Sequence, residues 1–191
     1  MEKYNFGEDE NYLLSQNLVG AKDFEMLTLA EQYAFTVRAL QFEQGGYKIE
    51  QFNLNTLIGL HQHLFQDIYQ FAGKIRDVQL VKGTTRFCQM QFIGSELIRI
   101  FDELAHESDW LNVEDAVIRL AYYKSELNII HPFREGNGRT IRLFIHALAL
   151  SRGFDWQYSD MDKEQYMNAM IQSVFNTKSL EQLFRETVTT I

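Results

Sequence analysis

The chain has 191 residues, 18 basic and 26 acidic, giving a formal net charge of −8, and 46% of it is hydrophobic. So much apolar material excludes a disordered chain and fits one compact domain with its own core, while the negative balance excludes broad, nonspecific binding to nucleic acid or an anionic membrane. The single cysteine, Cys88, excludes an intrachain disulfide and a cysteine-rich zinc site, and the acidic start MEKYNFGEDE and the absence of any bilayer-length apolar run predict a cytoplasmic protein that meets no membrane.

One proline and few glycines leave little punctuation, which favours long helices. The first predicted helix covers 24–44, with Leu29, Tyr33, Val37 and Leu40 at helical spacing and Gly45-Gly46 as its stop. The second covers 53–71, with Asn53 as its cap and Leu57, Leu60, Leu64 and Ile68 on one face. The pattern then changes. Residues 74–92, KIRDVQLVKGTTRFCQMQF, alternate imperfectly around a Lys82-Gly83-Thr84-Thr85 turn and read as a β-hairpin, the only strand candidate in the chain. Cys88 reads as a small apolar residue on its second strand. A lone hairpin is marginal in water, so it should lie on the helices with at least one open edge. Helices resume at 94–107, 113–133, 137–153 and 162–175, and 179–190 completes the chain. Pro132 should end the second of these and Gly153 the third. No repeat or linker interrupts this order, so residues 1–191 are read as one mainly α domain, a helical bundle with one hairpin.

The chemistry concentrates in HPFREGNGRT, residues 131–140, which holds the only proline. A helix ends at His131-Pro132 and another starts near Asn137. Free N–H groups and the dipole at that start make an anion site, and Gly136 and Gly138 let an anion approach the backbone. Arg139 and Arg142, three residues apart, are read as sharing a face beside it, where guanidinium forks suit phosphate oxygens. Glu135 alone would repel phosphate, and a bridging Mg²⁺ resolves that conflict. His131 can take a proton near neutral pH. Together these parts read as phosphate-transfer chemistry. His61, His63, His106 and His146 make no metal pair by spacing and are read as structural.

His131, Phe133, Glu135, Gly136, Asn137, Gly138, Arg139 and Arg142 match the Fic motif, H-x-F-x-[D/E]-G-N-G-R-x-x-R, at every fixed position. The chain is identified by this resemblance as a Fic-family protein, and LHQHLFQDIYQFAGKIRDVQLVKGTTRF is similar to the helix and flap hairpin that precede the motif in that family. The N-terminal YNFGEDENYLLSQNLVGAKD resembles the start of stand-alone Fic toxins whose inhibitor is a separate protein. The resemblance implies AMP transfer from ATP to a Ser, Thr or Tyr hydroxyl of a target protein. By the same resemblance His131 is the base and Glu135 holds Mg²⁺. The Gly136–Asn137–Gly138 backbone forms the anion hole and Asn137 also holds phosphate. Arg139 and Arg142 bind the β- and γ-phosphates, Phe133 anchors the loop, and Lys82 and Gly83 at the flap turn contact nucleotide or target. The adenine pocket maps loosely onto Gln165 to Ser173.

An open flap edge can also take an extended target segment as an added strand. Fic-fold proteins that phosphorylate have Lys where this chain has Gly138, so Gly138 favours AMP transfer. Transfer of UMP or phosphocholine, AMP removal, and a bare binding module are the alternatives. The inhibitory pattern [S/T]-x-x-x-E-[G/N] finds only TKSLEQ, with Thr177 and Glu181 in place and Gln182 at the last position. Glu181 is therefore read as an ordinary surface residue near the end of the chain. The resemblance then implies a toxin silenced by a separate antitoxin whose Glu pairs with Arg142, with bacterial type II topoisomerases as the leading target.

Overall fold

The computed structural model describes residues 8–83 and 85–191; residues 1–7 and Thr84 lie outside it, and with them the first positions of the toxin-like N-terminal stretch and one residue of the expected turn. The helices are α1 (Glu8–Ser15), α2 (Phe24–Glu43), α3 (Leu54–Phe65), α4 (Ile93–Ala105), α5 (Val113–Ile130), α6 (Asn137–Ser151), α7 (Lys163–Gln172) and α8 (Lys178–Thr187). The architecture is mainly α, as expected. Four helices start on a side chain that accepts an orphan N–H: Asp23 before α2, Asn53 before α3, Asn112 before α5 and Asp162 before α7. Such caps are each worth about 1 kcal/mol.

The two helices that flank the motif lie at the centre. α5 buries Ala116, Val117, Leu120, Ala121, Leu127 and Ile130, and α6 buries Ile141, Phe144, Ile145 and Leu148. They pack on each other, α3 and α4 cover one side, and α8 lies against α5. The predicted face of α3 is the buried one: Leu57, Leu60, Leu64 and Ile68 are all inside. The helix itself stops at Phe65, short of the expected 71, because residues 66–73 run as turns whose backbone pairs with Gln16, Asn17 and Leu18.

Helix α2 forms where expected, but its predicted face points outward. Tyr33 is 76% and Leu29 62% exposed, and Val37 and Leu40 are exposed as well. The buried side is the neighbouring stripe of Leu27 and Glu31, with Phe24, Phe35 and Phe42 packed on the core. The reason is Glu31, a buried carboxylate that must meet its partners inside and so turns the helix.

The hairpin is narrower than predicted. Its strands are β1 (Val81–Lys82) and β2 (Thr85–Arg86), paired Val81 with Arg86 and Lys82 with Thr85. Its arms leave strand geometry because they are tied to the motif loop instead: Ile75 bridges Phe133, the Arg76 N–H donates to Pro132 O (2.8 Å), and the Cys88 N–H donates to Ile129 O (2.9 Å). Cys88 therefore sits past β2, not on it. The hairpin is also not the only sheet. β3 (Phe154–Trp156) pairs antiparallel with β4 (Val188–Thr190). The last helix thus ends at Thr187, where the β-branched run Val188-Thr189-Thr190 favours strand and the chain returns to cover Trp156.

Candidate active site

Helix α5 ends on His131, whose φ of 51° and ψ of 61° put it in the left-handed region. It is the only described residue other than glycine with positive φ. This conformation costs roughly 1–2 kcal/mol, and a buried guanidinium holds it. Arg76, 4% exposed, donates from Nε to His131 O (2.7 Å) and from Nη2 to Ile130 O (3.2 Å) and Cys88 O (2.6 Å), with Nη1 on Val78 O. One side chain thus ties the end of α5 to both arms of the flap. Nothing in the sequence around Arg76 announces this role.

The His131 ring stacks on Phe87 (3.7 Å between centroids), and its Nδ1–H donates to Asn128 O (2.9 Å). That bond fixes the tautomer with Nε2 as the acceptor. Burial, together with the positive charges of Arg76 and Lys82, pushes its pKa down to about 3, so the ring is neutral at pH 7. Lys82 at the flap turn lies close enough to act electrostatically on His131. Gly83 beside it has φ +57° and open space around it.

Phe133 is fully buried, as anticipated, and its ring stacks on His61 at 3.8 Å. His61 Nδ1 accepts from the Gly73 N–H (2.8 Å), so its Nε2–H donates to Glu135 O (3.0 Å). This histidine is structural, as read from spacing, but its structure serves the motif loop. The Asn137 side chain closes that loop: Oδ1 accepts from the Phe133 N–H (2.8 Å) and Nδ2 donates to Phe133 O (2.7 Å). The amide is therefore tied to the loop backbone through Oδ1 and one Nδ2–H, and the Asn137 backbone N–H also lies at the helix start.

Gly136 precedes α6 with φ +80°, and its N–H is taken by Glu135 Oε1 (2.8 Å). The first intrahelical bond runs from the Thr140 N–H to Gly136 O (3.0 Å). The N–H groups of Asn137, Gly138 and Arg139 lie ahead of it at the positive end of the helix dipole. A Cβ on Gly138 would meet nothing within 4 Å, so the approach to these N–H groups is open.

The two arginines diverge. Arg139 lies between Phe35 and Phe65, and its Nη2 reaches the buried Glu31 at 2.6 Å and Glu135 at 3.5 Å. Glu31 also accepts from the Tyr69 hydroxyl. Arg142 turns the other way, over the Tyr158 ring. The shared face read from their spacing is thus split: the pull of Glu31, 108 residues away in sequence, commits Arg139 to holding Glu135, and Arg142 is left to face α5 and α7. Glu181, the residue that matched the inhibitory pattern, accepts from the Thr177 hydroxyl (2.6 Å) and sits 3.5 Å from Arg185, engaged within its own helix.

A family model described as Fic/DOC matches residues 51–149, which run from the start of α3 through the motif into α6. The chain belongs to the Fic/DOC family. Among its Fic relatives, the protein adenylyltransferase VbhT of Bartonella schoenbuchensis is 34% identical over 99% of this chain, and the probable protein adenylyltransferase Fic of Escherichia coli is 31% identical over 88%. This chain spans 41% of the length of VbhT and 86% of that of the E. coli Fic. The N-terminal Fic domain of a Bartonella quintana VirB-translocated effector, solved with bound ADP, superposes with a TM-score of 0.85 at 24% identity, over 92% of this chain and 90% of that one. BepC of Bartonella tribocorum, solved with AMPPNP, gives 0.83 at 22%, over 92% of each chain. These structural matches establish the Fic fold. Among the described residues no helix is long and apolar enough to cross a membrane, and no three His, Cys, Asp or Glu side chains converge on one point.

Burial of His61 and His131 has a consequence for stability. The His61 pKa is pushed down to about 4, mainly by burial, and that of His131 to about 3. The unfolded chain binds a proton at each ring below about 6.5 and the folded chain does not. Their contribution is therefore intact above that pH and is lost as the pH falls towards 4. We expect each histidine to add up to about 1.4 kcal/mol of destabilisation per pH unit in that window. Denaturant unfolding at pH 7, 6 and 5 measures it, and His61→Gln should make the slope shallower. An equal slope in that variant would contradict the assignment.

Proposed function

We propose that this Fic protein transfers AMP from ATP to a Ser, Thr or Tyr hydroxyl of a target protein. One arrangement supports this reading: the neutral His131 imidazole stands at one end of the motif loop, and an open N–H cradle at a helix start stands at the other. His131 Nε2 takes the proton of the target hydroxyl. The oxygen so activated attacks the α-phosphorus, the bond from that phosphorus to the bridging oxygen breaks, and pyrophosphate leaves. The N–H groups of Asn137, Gly138 and Arg139 stabilise charge on the phosphate oxygens, a kind of term often dominant in such transfers.

A carboxylate beside a phosphate site suits Mg²⁺, which takes few protein ligands and completes its shell with phosphates and water. Glu135, held at the start of α6 by the Gly136 N–H and Arg139, is the residue that would hold the ion. When bound, Mg²⁺ neutralises phosphate charge. Lys82 and Gly83 on the flap border the same space. Arg142 serves the phosphates beyond the α-phosphate, and a separate inhibitory protein that supplies a Glu to Arg142 would make this chain the toxin of a toxin–antitoxin pair. The local engagement of Glu181 supports an external source of that Glu.

The test is incubation with labelled ATP and bacterial lysate, followed by mass spectrometry of labelled bands, with type II topoisomerases examined first. A band carrying AMP on a hydroxyl side chain is the expected result. Intact ATP binding without any labelled band would leave only a binding module. A second experiment concerns the flap. Thr85→Pro removes a donor from the short ladder, and target modification should fall while ATP affinity holds. Modification at the parental rate would rule out strand addition as the docking mode.

A further inference from the structure

Arg139 is shared by two carboxylates, and unequally. Its Nη2 lies 2.6 Å from Glu31 Oε1 and 3.5 Å from Glu135 Oε1. The guanidinium stands against the rings of Phe35 and Phe65, 5.1 and 4.8 Å from their centres. Glu31 is engaged through both oxygens, since its Oε2 accepts from the hydroxyl of the buried Tyr69. Glu135 is engaged through one. Its Oε1 takes both the Gly136 N–H and the long Arg139 contact, and among the described residues its Oε2 has no partner. The three charges gather about Tyr69: burial raises the pKa of that hydroxyl well above the usual value, Glu31 and Glu135 add to the rise, and Arg139 opposes it.

Two carboxylates and one guanidinium leave one negative charge over. A charge withdrawn from water is costly unless it is paired. The short Arg139 contact and the Tyr69 hydroxyl pair the deeper carboxylate, so the surplus falls on Glu135, at the start of α6. Without a charge on Glu31 the count changes. Arg139 would have one carboxylate left to serve, and the two would neutralise each other.

We propose that Glu31 is a positioning residue: by holding the Arg139 guanidinium on itself, it keeps the Glu135 carboxylate available to a divalent cation. This inference rests on the proposed use of ATP and Mg²⁺. Glu31 acts through Arg139 and not on the ion.

The experiment is calorimetric titration of ATP into the wild type, Glu31→Gln and Tyr69→Phe, in magnesium buffer and in EDTA, without a target protein. Thermal unfolding checks that each variant folds. The quantity read is the gain in ATP affinity that magnesium brings. Glutamine keeps the shape of Glu31 and can still accept from Tyr69. In Glu31→Gln the gain should fall about tenfold or more, the usual loss when the support of a metal ligand is removed, with the affinity in EDTA unchanged. Tyr69→Phe leaves all three charges in place, and its gain should match that of the wild type. A full gain in Glu31→Gln overturns the inference. So does an equal loss in both variants, which would make the cluster a packing element. Tighter ATP binding by Glu31→Gln in EDTA overturns it as well, because Glu31 would then be restraining Arg139 from the phosphates. Should Glu31→Gln fail to fold, Arg139→Gln decides: with the competing cation gone the gain should hold or rise, and a lost gain overturns the inference. A wild type that binds no ATP overturns the proposed function itself, and one that binds ATP equally with and without magnesium overturns the metal assignment. A wild-type gain that survives in Glu31→Gln overturns this inference alone.

Discussion

Replacing His131 is expected to lower AMP transfer by about 10²- to 10⁴-fold, the usual cost of losing a general base, with ATP affinity nearly unchanged. His131 acts on the target hydroxyl, and the nucleotide is held by other groups. The choice of variant matters because the residue has two jobs. Its φ of 51° is one that Asn tolerates better than Ala, and its ring fills space against Phe87. His131→Asn keeps the backbone preference and removes the base. His131→Ala adds strain and a cavity. Both should lose transfer equally, while only the alanine variant should lose stability as well. Full transfer activity in the asparagine variant would remove His131 from the chemistry.

The depressed pKa of the same ring makes a second point. A base with a pKa near 3 is poorly matched to catalysis at neutral pH. The causes of the depression are burial and two neighbouring cations, Arg76 and Lys82. A polyphosphate brought between those cations and the ring offsets their effect, so the pKa should rise when ATP binds. NMR titration of the His131 ring with and without nucleotide reads this directly, and an unchanged value would mean that the phosphates lie too far from the base.

The motif was legible because its function is local. The base, the glycines and the carboxylate occupy one turn between two helices, and the helices announce themselves by periodicity and, before α3, by the Asn53 cap. What was not legible depends on distance along the chain. Arg76 finds its acceptors 54 and 55 residues away at the end of α5, and in the sequence it is one charge in a hairpin-like run. Glu31 looks like a solvent-facing charge until Arg139 and Tyr69 fold around it. It then decides which face of α2 is buried, against the apolar spacing of Leu29, Tyr33, Val37 and Leu40. Lys124 stands in an ordinary helix, and only the closing of β4 and α7 over Trp156 and Tyr166 shows it to be enclosed. The β3–β4 pair was hidden because three-residue strands carry too little pattern to stand out from a helix end.

The two motif glycines should separate stability from binding. Gly136 has φ +80°, and a Cβ there would lie 2.4 Å from two carbons of the Phe65 ring. That ring cannot yield. It is buried, packs against His61 and Phe35, and carries the Arg139 guanidinium at 4.8 Å. Gly136→Ala therefore combines left-handed strain of about 1–2 kcal/mol with overpacking of about 1–3 kcal/mol, a drop in the thermal midpoint on the order of 10 °C for a chain of this size. Gly138 is already helical and its Cβ direction is open. Gly138→Ala should fold as well as the parent, or better, since alanine is the stronger helix former by about 1 kcal/mol. Gly138→Lys should also fold, but its side chain rises beside the N–H cradle, where the phosphates must seat. Displacing a nucleotide by a single ångström can cost about a hundredfold in rate, and that is the loss of AMP transfer expected here. Thermal unfolding and ATP titration on the three variants are the measurement. A Gly136→Ala protein as stable as the parent would show that the Phe65 contact gives way. A Gly138→Lys protein that unfolds early, yet binds and uses ATP normally, would show that the cradle is not where the phosphates go.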